Sequence, residues 1–246
     1  KKRYNNYMAY QSFYRTYRPI SFDEVVGQKT IIKTLKNALK NDKIGHAYLF
    51  SGPRGTGKTT LARLFAKALN CDEGLGHECN KCDSCEAILS GTHPDVYELD
   101  AASNSGVDNI RELIDQVRYE PIMGRYKVYI IDEVHSMTSN AFNALLKTLE
   151  EPPAHVIFIL ATTEPQKVLP TILSRVQRFD FSKISDDDLI SKMEYVLKQE
   201  NVNYEIGALR LIARLADGGA RDALSILEQV RSEERRVGKE CRSRWS

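Results

Sequence analysis

The sequence predicts an α/β chain, a parallel sheet of five strands followed by a small all-helical domain. Three observations lead there. Five short apolar stretches alternate with helical patterns through the first 181 residues. Two of those stretches are apolar almost without a break, and from Ser185 the strand pattern stops. Strands that alternate with helices need crossover connections, which belong to parallel pairing. An unbroken apolar run suits a strand covered on both faces.

The expected strands are 46–51 (HAYLFS), 95–100 (DVYELD), 127–132 (KVYIID), 155–162 (HVIFILAT) and 176–181 (VQRFDF). Between them, 58–70, 107–119 and 140–150 carry helical spacing of apolar residues. Three further helices are expected at 185–200, 204–217 and 220–230. Ser185 with acids behind it opens the first, and Gly218-Gly219 separates the last two. The sheet domain therefore spans 8–181 and the helical domain 182–230.

Both chain ends look foreign to this fold. Residues 1–7 precede the first Met, and 231–246 (RSEERRVGKECRSRWS) resemble a cloning-vector read-through. Each contributes +3, so the formal +2 of the 246-residue chain conceals a body of 26 basic and 30 acidic residues. A body near −4 offers no general attraction for nucleic acid, so any such contact must come from a local patch. No run of about 18 apolar residues and no secretory leader are evident, which points to a cytoplasmic protein without a membrane partner.

Residues 52–59 read Gly52-Pro53-Arg54-Gly55-Thr56-Gly57-Lys58-Thr59, the phosphate-binding pattern G-x-x-x-x-G-K-[ST]. A strand precedes it and a helix beginning TTLARLFAKAL, with Thr60 in its first turn, follows. Glycines let backbone N–H groups converge on phosphate oxygens. Lys58 reaches the terminal phosphates, and the Thr59 hydroxyl suits Mg²⁺. Further on, VYIIDEVH ends a buried strand in Asp132-Glu133. Asp132 would hold the Mg²⁺ of a bound ATP and Glu133 would polarise the attacking water. Alone, such an acidic pair is commonplace at strand ends; beside this loop it is a catalytic expectation.

Cys71, Cys79, Cys82 and Cys85 give C-x7-C-x2-C-x2-C, an insert at 71–85. Two overlapping C-x-x-C steps put three thiolates on one knuckle, and the fourth completes a tetrahedral, structural Zn²⁺ site. A thioredoxin-like redox role lacks its βαβ context. His77 is surplus to a filled shell.

In order, YRTYRPISFDEVVGQ, GPRGTGKTT, CNKC, IIDEVH, LLKTLEEPP, LATTEPQK and ILSR closely resemble the bacterial clamp-loader ATPases of the DNA polymerase III gamma/tau family, which are AAA+ P-loop NTPases with a helical lid. The resemblance runs from Met8 to about Val230. It implies roles that spacing does not. Thr163 falls at the fourth-strand sensor, Arg175 at an arginine finger acting on a neighbouring subunit's ATP, and Arg221 at the lid sensor. Tyr17, Arg18, Pro19, Val25 and Val26 fall where the family packs adenine. Val176 stands where the family has Cys, beside a retained arginine.

The implied function is an ATP-hydrolysing motor subunit of the polymerase III holoenzyme that loads the sliding clamp onto primed DNA. Implied partners are delta-type and delta-prime-type subunits, the clamp, primed DNA and other copies of the chain. No polymerase site is visible, so a DNA-directed DNA polymerase label would reflect complex membership. Helix starts near Asn104 and Val107 and at Ser139-Asn140, with Arg111 nearby, are candidate DNA contacts. Two alternatives remain. Another AAA+ DNA-remodelling motor, such as a branch-migration motor, would need a winged-helix module after the lid, and none is expected. A non-hydrolysing scaffold subunit is disfavoured by Lys58, Thr59, Asp132 and Glu133.

Overall fold

The structure is a computed structural model that describes residues 11–104 and 106–243. The upstream segment 1–7, Met8 and residues 244–246 lie outside the described residues. Five strands form one sheet: β1 (Ala47–Ser51), β2 (Val96–Asp100), β3 (Lys127–Asp132), β4 (Val156–Thr162) and β5 (Gln177–Asp180). Every neighbouring pair is parallel, in the order β2-β3-β4-β1-β5. The helices are α1 (Phe13–Thr16), α2 (Lys29–Lys40), α3 (Lys58–Asn70), α4 (Asp83–Ser90), α5 (Val107–Val117), α6 (Ser139–Glu150), α7 (Pro170–Leu173), α8 (Asp186–Gln199), α9 (Ile206–Leu215) and α10 (Ala220–Ser243).

The described chain divides into two compact units, 19–183 and the combination of 11–18 with 184–243. In the sheet unit, side chains alternate between two cores with the period of two that a strand imposes. Tyr48, Phe50, Val128, Ile130, Ile157 and Ile159 meet Leu35 and Leu39 of α2 and Leu61 and Phe65 of α3. Ala47, Leu49, Tyr129, Ile131, Phe158 and Leu160 meet Ile110 of α5 and Phe142 and Leu145 of α6. The central strands β1, β3 and β4 are therefore buried on both faces, as their apolar runs require. β2 and β5 lie at the edges and are partly exposed, which accommodates the charges in DVYELD and VQRFDF.

In the helical unit, the Ser185 side chain caps α8 by accepting from the Asp188 N–H at 3.2 Å, with Asp186, Asp187 and Asp188 in the first turn. The structure differs from the sequence reading at both margins of this unit. Residues 11–18, expected with the sheet, group with the helices because their aromatics find partners there. Tyr17 meets Phe13 and Tyr195 edge-on at 5.8 and 6.4 Å, and its hydroxyl donates to Glu200 at 2.6 Å. Burial and the Glu200 carboxylate raise the Tyr17 pKa to about 12.

At the other margin, α10 continues past Val230 to Ser243. Extending an existing helix needs no new nucleus, and the Arg, Glu and Lys of 231–243 are good helix formers. Arg231, assigned by sequence to the foreign tail, pairs with Glu200 at 2.6 Å and lies over the Phe13 ring at 5.1 Å. Its side chain keeps only 15% exposure. Replacing Arg231 with Ala is expected to destabilise the helical unit by about 1–2 kcal/mol through the lost charged hydrogen bond and ring contact. Thermal unfolding measures this, and an unchanged melting temperature would detach Arg231 from the unit.

Candidate functional site

The phosphate loop leaves β1, which lies between β4 and the edge strand β5. Gly52 opens it at φ +145°, with its N–H donating to the Thr162 carbonyl at 3.2 Å. A Cβ at Gly52 would stand 2.4 Å from the Phe181 carbonyl oxygen, so no other residue fits without moving backbone. Gly55 and Gly57 also have positive φ, at +76° and +97°. Gly57 is the N-cap of α3 and leaves that helix without a side-chain cap, the arrangement that suits an anion at a helix N-terminus. The Thr56 hydroxyl braces the loop by donating to the Pro53 carbonyl at 2.8 Å. Arg54 is exposed.

Lys58 is the first residue of α3 and is 6% exposed. Its Nζ donates to the Gly52 and Pro53 carbonyls, both at 2.8 Å, which aims the ammonium into the loop. Burial lowers its pKa, while Glu133 and Asp132 oppose that shift. Thr59 Oγ1 donates to Asp132 Oδ2 at 2.5 Å. Thr60, next on the helix, is half-buried. Asp132 ends β3, and Glu133 follows in a left-handed conformation with φ +48°. Its N–H donates to Asp132 Oδ1 at 2.9 Å. From the end of β4, Thr163 Oγ1 donates to Glu133 Oε2 at 3.2 Å. The structure thus brings Lys58, Thr59, Asp132, Glu133 and Thr163 together at one sheet edge.

His135 joins this cluster unannounced by the sequence reading. Its Nδ1 lies 3.0 Å from Thr162 Oγ1 and 3.4 Å from Glu133 Oε2, and its Nε2 lies 3.4 Å from Glu164 Oε1. The signal was available in IIDEVH and ATTE, but only the parallel pairing of β3 with β4 joins them.

The remaining expected residues stand elsewhere. Arg175 follows α7 and donates to Glu150 Oε1 at 2.7 Å and to the Thr171 carbonyl at 2.6 Å. Arg221 and the aromatic Tyr17 belong to the helical unit with Arg18, and the Arg221 guanidinium lies 4.8 Å from the Tyr14 ring centroid. Pro19, Val25 and Val26 belong to the sheet unit, where Val25 packs against the α2–α3 core. Of the candidate DNA contacts, α6 begins at Ser139 with Thr138 as its cap, and Arg111 pairs with Asp108 at 3.3 Å. α5 begins at Val107 after Gly106, and Ser105, between Asn104 and Gly106, lies outside the described residues.

The four cysteines form a second cluster. Cys71, Cys79, Cys82 and Cys85 have all their sulfurs within 4.8 Å of one another and form no disulfide. A tetrahedral thiolate zinc site separates sulfurs by about 3.8 Å, given zinc–sulfur bonds of about 2.3 Å. Cys79 and Cys85 stand at 3.9 Å. Backbone N–H groups of Lys81 and Cys82 donate to Cys79 Sγ at 3.5 and 3.3 Å, and that of Cys85 donates to Cys82 Sγ at 3.4 Å. These donors lower the Cys79 pKa to about 7, whereas burial pushes Cys85 up. The residues present fit a closed four-thiolate metal site.

Sheet order, phosphate loop and following helices define a P-loop protein of AAA+ architecture, a fold that implies ATP and Mg²⁺. The same fold appears in the Holliday junction branch migration motor RuvB of Thermotoga maritima, with a TM-score of 0.67 and 23% identity over 90% of this chain and 67% of that one. A family model described as DNA polymerase III, delta subunit, matches residues 27–185. One described as DNA polymerase III clamp loader subunit, ATPase lid domain, matches 189–230. The chain is 56% identical over 224 residues to the DNA polymerase III subunit tau of Bacillus subtilis, covering 91% of this chain and 40% of that protein. It is 49% identical to the tau subunit of Escherichia coli, covering 91% of this chain and 35% of that one. The chain belongs to the DNA polymerase III tau/gamma clamp-loader family. It spans between a third and two fifths of the length of these relatives. Among the described residues, no helix is long and apolar enough to cross a membrane.

Two expectations follow from this geometry. Gly52→Ala should cost roughly 2 kcal/mol or more, from strain at the loop's first residue, and is measured by chemical unfolding. Metal analysis should find about one zinc per chain, with Cys82→Ser losing it and lowering the yield of folded protein. A metal-free preparation that melts unchanged would remove the structural role.

Proposed function

We propose that this chain is an ATP-hydrolysing motor subunit that helps load a sliding clamp onto primed DNA within the DNA polymerase III holoenzyme. The observation that carries the reading is the convergence of Lys58, Thr59, Asp132, Glu133 and Thr163 on one sheet edge, in a chain of the tau/gamma family. Delta-type and delta-prime-type subunits, the clamp, primed DNA and further copies of the chain are the partners of this reading, in the cytoplasm.

In this reading the loop residues 52–60 bind the ATP phosphates through backbone N–H groups, and Lys58 compensates their charge. Thr59 and Asp132, already hydrogen-bonded to each other, would hold the Mg²⁺, which neutralises charge on the transferred phosphoryl oxygens. Glu133 orients the attacking water, and Thr163 fixes the Glu133 carboxylate through its hydroxyl. By the family resemblance, Pro19, Val25 and Val26, with Tyr17 and Arg18, are assigned to the adenine, and Arg221 to nucleotide sensing. Arg175 serves the ATP of a neighbouring subunit; within its own chain it pairs with Glu150 at the end of α6. The four cysteines hold a structural Zn²⁺. A scaffold that binds without hydrolysing would have no use for the Glu133–Thr163 pair.

Lys58→Ala should abolish ATP binding, whereas Glu133→Gln should retain binding and lose hydrolysis, read by nucleotide titration and phosphate release. Normal turnover in the Gln variant would reassign the base. An arginine finger supplied by a neighbour contributes roughly 10³–10⁵ in rate. In the full-length protein, mixing Arg175→Ala with Lys58→Ala subunits should therefore restore part of the hydrolysis that neither supports alone. Absence of rescue would place Arg175 on its own nucleotide.

A further inference from the structure

Lys67 is a charged side chain with no exposure at all, nine residues after Lys58 on the same helix. Its Nζ donates to the Ile20 carbonyl and to Asn80 Oδ1, and Glu78 Oε2 lies 3.6 Å away. Glu78 in turn accepts the Phe22 N–H at 3.1 Å through Oε2 and at 3.4 Å through Oε1. A buried ammonium is tolerated only when its donors are met by fixed acceptors. Here the acceptors come from two separate stretches of chain, and both are specific.

One stretch is the cysteine loop, because Glu78 and Asn80 flank Cys79. Asn80 sits at φ +57°, a left-handed position that asparagine tolerates better than most residues. The other stretch is 19–26. Ile20 and Phe22 are held there by a carbonyl and an N–H, backbone groups whose positions set the path of the chain rather than of one side chain. Phe22 is 2% exposed and Val25 packs on the same core, so this path is transmitted to Val25 and Val26. Two other buried charged groups among the described residues make different links: Lys127, 3% exposed, donates to the Gln116 carbonyl on α5, and Asp95 accepts from the loop at Ile122, Met123 and Gly124.

We infer that the four-cysteine loop positions the base-facing segment 19–26 through the Lys67–Glu78–Asn80 junction, so that an intact cysteine site strengthens binding of the adenine moiety and leaves binding of the phosphates unaffected. The inference rests on the reading of Pro19, Val25 and Val26 as part of the adenine wall. Lys67, Glu78 and Asn80 are positioning residues, since their contacts are with backbone and with one another.

The test separates the base from the phosphates. Affinities for ATP and for inorganic tripolyphosphate, which has no base, are measured by titration on the same preparations. Lys67→Met and Glu78→Ala should each weaken ATP roughly tenfold while tripolyphosphate stays within about twofold. Glu78→Gln keeps an acceptor for the Phe22 N–H and should recover most of the loss. Zinc-stripped protein, its metal content followed colorimetrically, should show the same split. Equal loss of both ligands would overturn the inference, because the junction would then serve the fold as a whole. Unchanged ATP affinity in Glu78→Ala would overturn it as well. A Val26→Gln variant distinguishes the two layers. If it weakens ATP alone while the junction variants do nothing, the adenine wall stands and the junction fails. If it leaves ATP untouched, the wall reading fails and takes the inference with it.

Discussion

The burial of β1, β3 and β4 on both faces is the constraint on which the rest of the molecule depends. A strand covered on both sides has no solvated flank where polar chemistry can be placed. Its functional groups must stand at its end, and in a parallel sheet the ends of all strands lie along one edge. That is why the loop after β1, the carboxylates after β3 and the threonine after β4 meet, although they are spread from residue 52 to residue 163. Covering both faces also demands the helices α2 and α3 on one side and α5 and α6 on the other. One of these, α3, then supplies the N-terminus that the phosphate loop needs.

Much of this was legible in the sequence. The phosphate loop and the Asp132-Glu133 pair are local patterns with fixed consequences, because their geometry is set by glycine backbone freedom and by strand termination. The cysteine spacing is equally local, and the four sulfurs converge as it requires. The central strands announced themselves by apolar runs that few helices of that length would carry.

What was not legible depends on contacts between distant stretches, or on a margin where local propensity misleads. His135 and Glu164 enter the site only because β3 and β4 are neighbours. Lys67 reads as an ordinary helical lysine until its partners at positions 20, 78 and 80 are in place. Residues 11–18 carry no strong helical signal of their own, and it is their aromatic contacts with one another, Tyr195 and Glu200 that assign them to the helical unit. At the other end, a charged run was read as foreign to the fold, yet Arg231 is fixed by Glu200 and Phe13. Charge alone does not distinguish a solvated tail from a helix that continues.

The contact between Gly52 and Phe181 has a mechanical meaning. At this point the backbone of the phosphate loop lies against the backbone that leaves β5, and no side chain intervenes to yield. The next residue, Ser182, is gripped on both sides by Gln28, whose side-chain amide donates to its carbonyl at 2.7 Å and whose side-chain carbonyl accepts its N–H at 3.3 Å. Three remote stretches are therefore joined as stiffly as a close-packed interior allows. Any displacement of the loop's first residue therefore presses directly on the backbone at Phe181, one residue before the Ser182 that Gln28 holds.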